Sequence, residues 1–275
     1  GIDWYKPNLG IHEIKGSKDN NVILVDEELT PNFTPFLDTN PNAKAEEKFK
    51  ALAGKQATGL FALSSADGIH WVKIQDKPVL QEGNLDSQNV SFWSPSENKY
   101  LVYFRTMDSG FRSVSRASSI DFITWDKGDT MKYGAAPLEH LYTQQTSPYF
   151  RAPQIYLAVG ARFMPDKQVV TDGQATEMGI DPNYYKACSD AFLMTSRGGN
   201  QYRRYFMESY IRPGIGLNNW VSRTNYPALN VVQTSPYEMS IYVNQDYAQS
   251  TAHLRRYSIR LDGFASLSAG YAGGE

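Results

Sequence analysis

Apolar and polar positions alternate over short stretches along most of this chain. "GLFALSS" (59–65), "NVSFW" (89–93), "KYLVYFRT" (99–106), "FRSVSRAS" (111–118), "QIYLAVGARFM" (154–164), "DAFLMTSR" (190–197), "EMSIYVN" (238–244) and "HLRRYSIRL" (253–261) read as strands. They are separated by turns of Gly, Pro, Asn, Asp and Ser. Helical spacing is confined to "NAKAEEKFKALAG" (42–54), whose i,i+4 charges predict a short helix or helical loop. The pattern is all-β, and many short strands of this kind fit a sandwich, a barrel or a propeller.

An internal repeat chooses among them. "SSADGIHW" (64–71) returns as "SSIDFITW" (118–125), each copy directly after a strand. A third copy, "SRGGNQY", keeps Ser196 and places Tyr202 where the Trp stood; a fourth retains only Asp262 and Gly263 after a strand. The copies lie roughly 55 to 75 residues apart, longer than the ~40–50 residues of one four-stranded propeller blade, which leaves room for long loops and predicts four or five blades. Inner strands are predicted ahead of each copy, in "NFTPFLDTNP", "SQNVSFWSP", "YFRAPQIYL" and "NYPALNVV". The N-terminal "WYKPNLGIHEI" is expected to supply part of another blade or to close the ring. Local chemistry explains the repeat without catalysis. Asp67 and Asp121 accept backbone N–H groups of the turns they start, Gly68 tolerates positive φ, and the Trp plugs a groove between sheets.

Composition narrows the function. The 275 residues carry a formal net charge of −2, which gives no electrostatic reason to bind nucleic acid or an anionic membrane. Aromatic residues reach 13%, with 18 Tyr and 5 Trp, as suits both sugar-binding surfaces and sheet cores. Cys188 is the single cysteine, so no intramolecular disulfide or Cys-based zinc site is expected. No apolar run reaches the ~20 residues of a membrane span, and "GIDWYKPNLG" does not read as a signal peptide. The expectation is one propeller domain over 1–275, in a secreted or periplasmic mature protein. The Gly-rich end "GYAGGE" reads as a linker toward a further domain of a longer chain. Nucleotide-binding, nucleophile-elbow and zinc-protease motifs are absent from the sequence.

Ser-x-Asp-(Gly/Phe)-x-x-Trp after a strand resembles the "S-x-D-L-x-x-W" element of the five-bladed furanosidase propellers, glycoside hydrolase families 32, 43 and 68. The resemblance covers most of the chain as a blade pattern. It implies an all-β, five-bladed β-propeller and a glycoside hydrolase acting on a plant, algal or microbial glycan through two carboxylates at the axis. The alternative is a catalytically inactive propeller that binds carbohydrate or protein. "FLDTNPNA" is similar to the family 32 "N-D-P-N-G" stretch, which implies Asp38 as base or nucleophile. "YFRAP" is similar to "R-D-P", but Ala152 stands where the second acid is expected. No cofactor is implied beyond a structural calcium ion, which some related propellers carry and for which this sequence shows no ligand loop.

Glycosidic cleavage needs one carboxyl group as acid and another as base or nucleophile. Asp38 ends an apolar strand and is expected to face the cavity, or to serve as an Asx-turn carboxylate. Asp86 opens "DSQNVSFW" beside Gln88 and Asn89, at the entrance of an inner strand. Glu139, in "PLEHLYTQQ", is the general acid by resemblance or a loop carboxylate paired to Arg151. Arg151, His140, Asn89, Trp93, His12 and Asn225 are expected to contact the sugar, Arg151 from a buried strand. Asp190 and Glu208 are second-choice acids on or beside an outer strand. Cys188 has no base in its segment and is not expected to be a nucleophile.

Overall fold

A computed structural model describes residues 3–247 and 249–266. Among these residues, four four-stranded antiparallel sheets follow one another along the chain. Blade 1 is β1 (Thr34–Leu37), β2 (Phe49–Lys55), β3 (Gly59–Ser65) and β4 (Val72–Lys73). Blade 2 is β5 (Val90–Ser94), β6 (Lys99–Asp108), β7 (Phe111–Ser119) and β8 (Asp129–Thr130). In blade 3 the inner strand is split into β9 (His140–Leu141) and β10 (Thr146–Tyr149), both paired with the long β11 (Ala152–Met164), and β12 (Cys188–Ser196) lies outside. A loop carrying α1 (Asp172–Glu177) joins β11 to β12. Blade 4 splits its inner strand in the same way, into β13 (Tyr226–Pro227) and β14 (Val232–Gln233). Both pair with β15 (Glu238–Gln245), and β16 (His253–Arg260) flanks β15 on the other side.

This is an all-β propeller, and the expectation of five blades is corrected to four among the described residues. The physical reason lies in the N-terminal segment. It forms an isolated bridge, Ile14 to Ser17, in place of a ladder. Leu24, Leu29 and Phe33 instead pack over the face of blade 1 made by Ala51, Ala53, Phe61 and Leu63. Farther upstream, Trp4 meets Tyr242 of blade 4 edge to face at 5.6 Å. The segment thus touches blades 4 and 1 and, among the described residues, forms no strand of a further blade.

Between consecutive blades 1 to 4 lie three apolar layers, each drawing alternate residues from two sheets. Leu52, Leu60 and Ala62 meet Tyr100, Val102 and Phe104 between blades 1 and 2. Phe92, Leu101 and Tyr103 meet Tyr156, Ala158 and Phe192 between blades 2 and 3. Val159, Ala191 and Leu193 meet Ile241 and Val243 between blades 3 and 4. A middle strand is therefore buried on both faces, which explains one element read incorrectly. "KFKALAG" carries helical spacing, yet 49–55 forms β2 with Ala51, Leu52 and Ala53 all fully buried, and a 3-10 turn at Ala45–Glu47 replaces the helix. Tertiary burial overrides local preference there.

The repeated motif builds two matching corners. Asp67 Oδ1 accepts the backbone N–H groups of Ile69 and His70, both at 2.8 Å, while Ser65 Oγ accepts that of Gly68. Asp121 Oδ1 accepts those of Ile123 and Thr124, at 2.8 and 2.7 Å, while Ser119 Oγ accepts that of Phe122. Gly68 and Phe122 occupy the same left-handed position, with φ of 77° and 67°. Glycine takes that conformation freely; Phe122 is held in it by complete burial between blades 1 and 2. Trp125 packs on Phe122 and Trp71 on Phe33, so the motif is a structural corner. Tyr202 fills the third copy's Trp position and is 2% exposed.

Candidate functional site

The inner strands define an axial channel with two unlike ends. At their C-terminal ends lies a chamber of about 680 Å³, lined by Phe36, Phe92, Trp93, Tyr149, Phe150 and Val231 among others, with no charged residue in its wall. At their N-terminal ends the chain is polar and knit across blades. Ser87 Oγ donates to the Tyr142 carbonyl at 3.1 Å. Gln145 Nε2 donates to Gln88 Oε1 at 2.5 Å and to the Pro227 carbonyl at 3.0 Å.

The candidate residues divide between these ends. Asp38, Trp93 and Arg151 fall at the apolar end. Asp38 does not face the cavity: its side chain is fully buried, ion-paired with Lys50 Nζ at 2.6 Å and accepting the Tyr100 hydroxyl at 2.7 Å. Its other oxygen accepts the Asn40 N–H at 2.9 Å, the Asx turn that was the alternative reading. Burial works to lower the Lys50 pKa, but the hydrogen bond and charge of Asp38 outweigh it and raise the pKa above its ordinary value. Trp93 is core, edge to face with Tyr100 at 4.8 Å, and its edge reaches the chamber. Arg151 is not on a buried strand. The third inner strand is "TSPY", which ends at Tyr149, so 150–151 form an exposed hairpin turn and Arg151 pairs with Asp262 at 3.2 Å. Ala152 opens β11 at the same turn, opposite Tyr149.

Asp86, Asn89, Glu139, His140 and Asn225 fall at the polar end, where Asp86 and His140 approach Tyr142 through Arg105 and Arg112. Asp86 is exposed and ion-paired with Arg105, whose guanidinium lies 5.8 Å from the Tyr142 ring centre. Arg112 lies at the same distance from that ring. The backbone N–H of Arg112 donates to His140 Nδ1 at 3.1 Å, and burial followed by the Arg112 charge lowers the His140 pKa. Tyr226 stacks on Tyr142 at 5.3 Å and on Tyr247 at 6.5 Å, a row of three rings. Asn89 and Asn225 are fully buried and brace the backbone below. Asn89 donates to the carbonyls of Leu85 and Ser87, and Asn225 to those of Ser189 and Asn219. His12 lies in the N-terminal segment, where its carbonyl accepts Asn20 Nδ2 at 2.9 Å.

Glu139 joins a network that its local sequence does not reveal. Arg162 Nη1 donates to Glu139 Oε1 at 2.5 Å, while its Nε and Nη2 grip Asp190 at 2.8 and 2.5 Å. Arg204 Nη2 approaches Glu139 Oε2 to 2.8 Å but off the hydrogen-bond direction, so that contact is held by charge. The hydrogen bonds to Asp190 raise the Arg162 pKa, and burial lowers that of Arg204. Glu139 therefore pairs with Arg162 and Arg204 in place of Arg151, and Asp190 is a buried structural anion on β12. The register Arg162 opposite Asp190 was the signal available for this network, once β11 and β12 were known to be neighbours. Glu208 is exposed, outside the named strands. Cys188 is buried, and desolvation pushes its thiol up to about 11, which disfavours the thiolate. Among the described residues no group of three or more His, Cys, Asp or Glu is placed to hold a metal ion.

No protein-family model and no curated protein matches this sequence. Solved structures do. An N-acetylgalactosamine deacetylase from F. plautii, in complex with blood group B trisaccharide, superposes with a TM-score of 0.54 at 12% identity, over 83% of this chain and 72% of that one. An endo-1,4-beta-xylanase from Bacteroides thetaiotaomicron gives a TM-score of 0.51 at 9% identity, over 88% of this chain and 72% of that one. At such identities the likeness is one of fold, and this one fold carries different hydrolytic chemistries. No helix of the described residues is long and apolar enough to cross a membrane.

Proposed function

We propose that the protein is a glycan-directed hydrolase of the propeller class, with its substrate docked on the tyrosine row at the polar end and Asp86 and Glu139 as the working carboxylates. The observation that carries this reading is the placement of two carboxylates on the loops entering successive inner strands. Asp86 pairs with Arg105, 5.8 Å from the Tyr142 ring centre. Glu139 directly precedes His140, which accepts the N–H of Arg112, whose guanidinium lies at the same distance from that ring, while Glu139 itself pairs with Arg162 and Arg204. Aromatic faces beside charged hydrogen-bonding groups suit a sugar, which presents C–H faces and a rim of hydroxyls. In the resting structure both carboxylates are paired with arginine. A bound sugar hydroxyl competes for Arg105 and releases Asp86, in keeping with catalytic contacts that form only in the substrate complex. Asp38 has no part in this reading, since Lys50 and Tyr100 hold it out of solvent. Export to a compartment rich in glycans accords with it.

The test is turnover of a panel of aryl glycosides and polysaccharides by the parent and by Asp86→Asn and Glu139→Gln. Loss of at least a hundredfold in kcat/KM in both variants, with native circular dichroism, is expected; full activity in both rejects the assignment. A second reading, glycan binding without cleavage, is favoured by one observation: both Glu139 oxygens lie against guanidinium groups, leaving neither free to hold a transferable proton. Affinity for a glycan with no hydrolysis across the panel selects it.

A further inference from the structure

We propose that the apolar chamber at the other end of the channel is a second binding site, for a neutral aromatic compound bearing a hydroxyl group. The proposal does not depend on the glycan reading. About 680 Å³ is the size of a pocket for a small organic ligand. Its wall holds no charged side chain, so an ion entering it would lose hydration with no partner to compensate. The wall is rich in aromatic rings, among them Phe36, Phe92, Trp93 and Phe150, which favour edge-to-face and offset contacts with another ring.

Two serine hydroxyls stand in this wall. Ser147, on β10, pairs with Leu157 through the ladder and is 6% exposed, and its Oγ makes no side-chain hydrogen bond among the described residues. Ser91, on β5, is 2% exposed, and its Oγ likewise has no partner. They stand on inner strands of adjacent blades. A ligand hydroxyl that meets the Ser147 Oγ gains a hydrogen bond that a bare ring cannot make. Tyr149, also in the wall, already donates its hydroxyl to Asp262 and is not available.

Equilibrium dialysis of the full chain with 2-naphthol, naphthalene and 2-naphthoate tests the proposal. Retention of 2-naphthol is expected about fivefold tighter than that of naphthalene, the equivalent of one hydrogen bond, and at least tenfold tighter than that of 2-naphthoate. Ser147→Ala should abolish the preference over naphthalene while naphthalene itself binds as before. Gln233→Trp, at the exposed rim, should weaken both neutral compounds at least tenfold by filling the entrance. No retention of 2-naphthol, equal retention of 2-naphthoate, or a Gln233→Trp protein that binds like the parent each overturns the proposal. Should Ser147→Ala lose its near-ultraviolet circular dichroism, Ser91→Ala and the Gln233→Trp comparison decide.

Discussion

The two ends of the axial channel are built from the same four inner strands and differ in almost every other respect. At the C-terminal ends the chain turns tightly in blades 2 to 4, and an uncharged chamber opens among the strand ends. Asp38, at the end of β1, is sealed behind Lys50 and Tyr100. At the N-terminal ends long loops arrive from the preceding blades and bring arginines, tyrosines and carboxylates together. Loops can carry charge because they keep access to water, whereas a charge facing an apolar wall loses hydration. Charge at the apolar end is therefore either sealed in a pair, as Asp38 is with Lys50, or carried out to solvent, as Arg151 and Asp262 are.

Substitutions can break this contrast, beginning with the largest effect. Lys50→Met strands the Asp38 carboxylate in a buried site and should cost about 3–5 kcal/mol in urea unfolding. A cost under about 1 kcal/mol would mean that the pair is not sealed. The same pair sets an alkaline limit. Lys50 and Tyr100 both have raised pKa values, Lys50 through Asp38 and Tyr100 first through burial and then through Asp38. A raised folded-state value stabilises fully below the ordinary one and loses its contribution as pH climbs through the raised one. Stability should thus fall from about pH 10 upward, and the fall should be shallower in a Lys50→Met, Asp38→Leu protein.

The remaining effects are smaller. Glu139→Gln leaves Arg162 and Arg204 with Asp190 as their remaining counter-charge, and about 2 kcal/mol should be lost, because the network is only partly dry. Asp121→Ala, at a blade corner, removes two backbone acceptors and should cost about 1 kcal/mol with glycan binding unchanged. Burial alone would raise the Asp121 pKa, but the N–H groups of Thr124 and Ile123 outweigh it and lower it. Its contribution is therefore present above the ordinary carboxylate value and lost as pH falls through the depressed one. Asp86→Asn should shift stability by less than about 0.5 kcal/mol, as an exposed ion pair does, while removing function. A large loss of stability there would move Asp86 into the class of Asp38.

Much of the fold was legible from alternation alone. All eight runs read as strands are strands, because a strand in a packed sheet presents alternate residues to its two faces. The corner motif was legible as structure because Asp67 and Asp121 act on backbone groups within three residues. What sequence concealed is non-local. "FLDTNP" places Asp38 at a strand end, but that it would meet Lys50 depends on the β1–β2 register, in which Lys50 stands opposite Phe36. Arg151 was misplaced by a few residues, enough to move it from a strand to a hairpin tip. Glu139 was picked out correctly as a residue arriving at blade 3, but its partners lie 23 and 65 positions away, on β11 and beyond β12.

The contact of Trp4 with Tyr242 joins residues 238 positions apart, while most other pairings in the molecule lie within one blade or between consecutive ones. Loop-closure entropy makes so distant a contact slow to form. Blades can assemble in the order of synthesis, yet the contact of the N-terminal segment with blade 4 must wait for the last of them. Folding of this chain should therefore show a late phase, sensitive to Trp4 and indifferent to the corners, in which the leading segment settles on the finished fourth sheet.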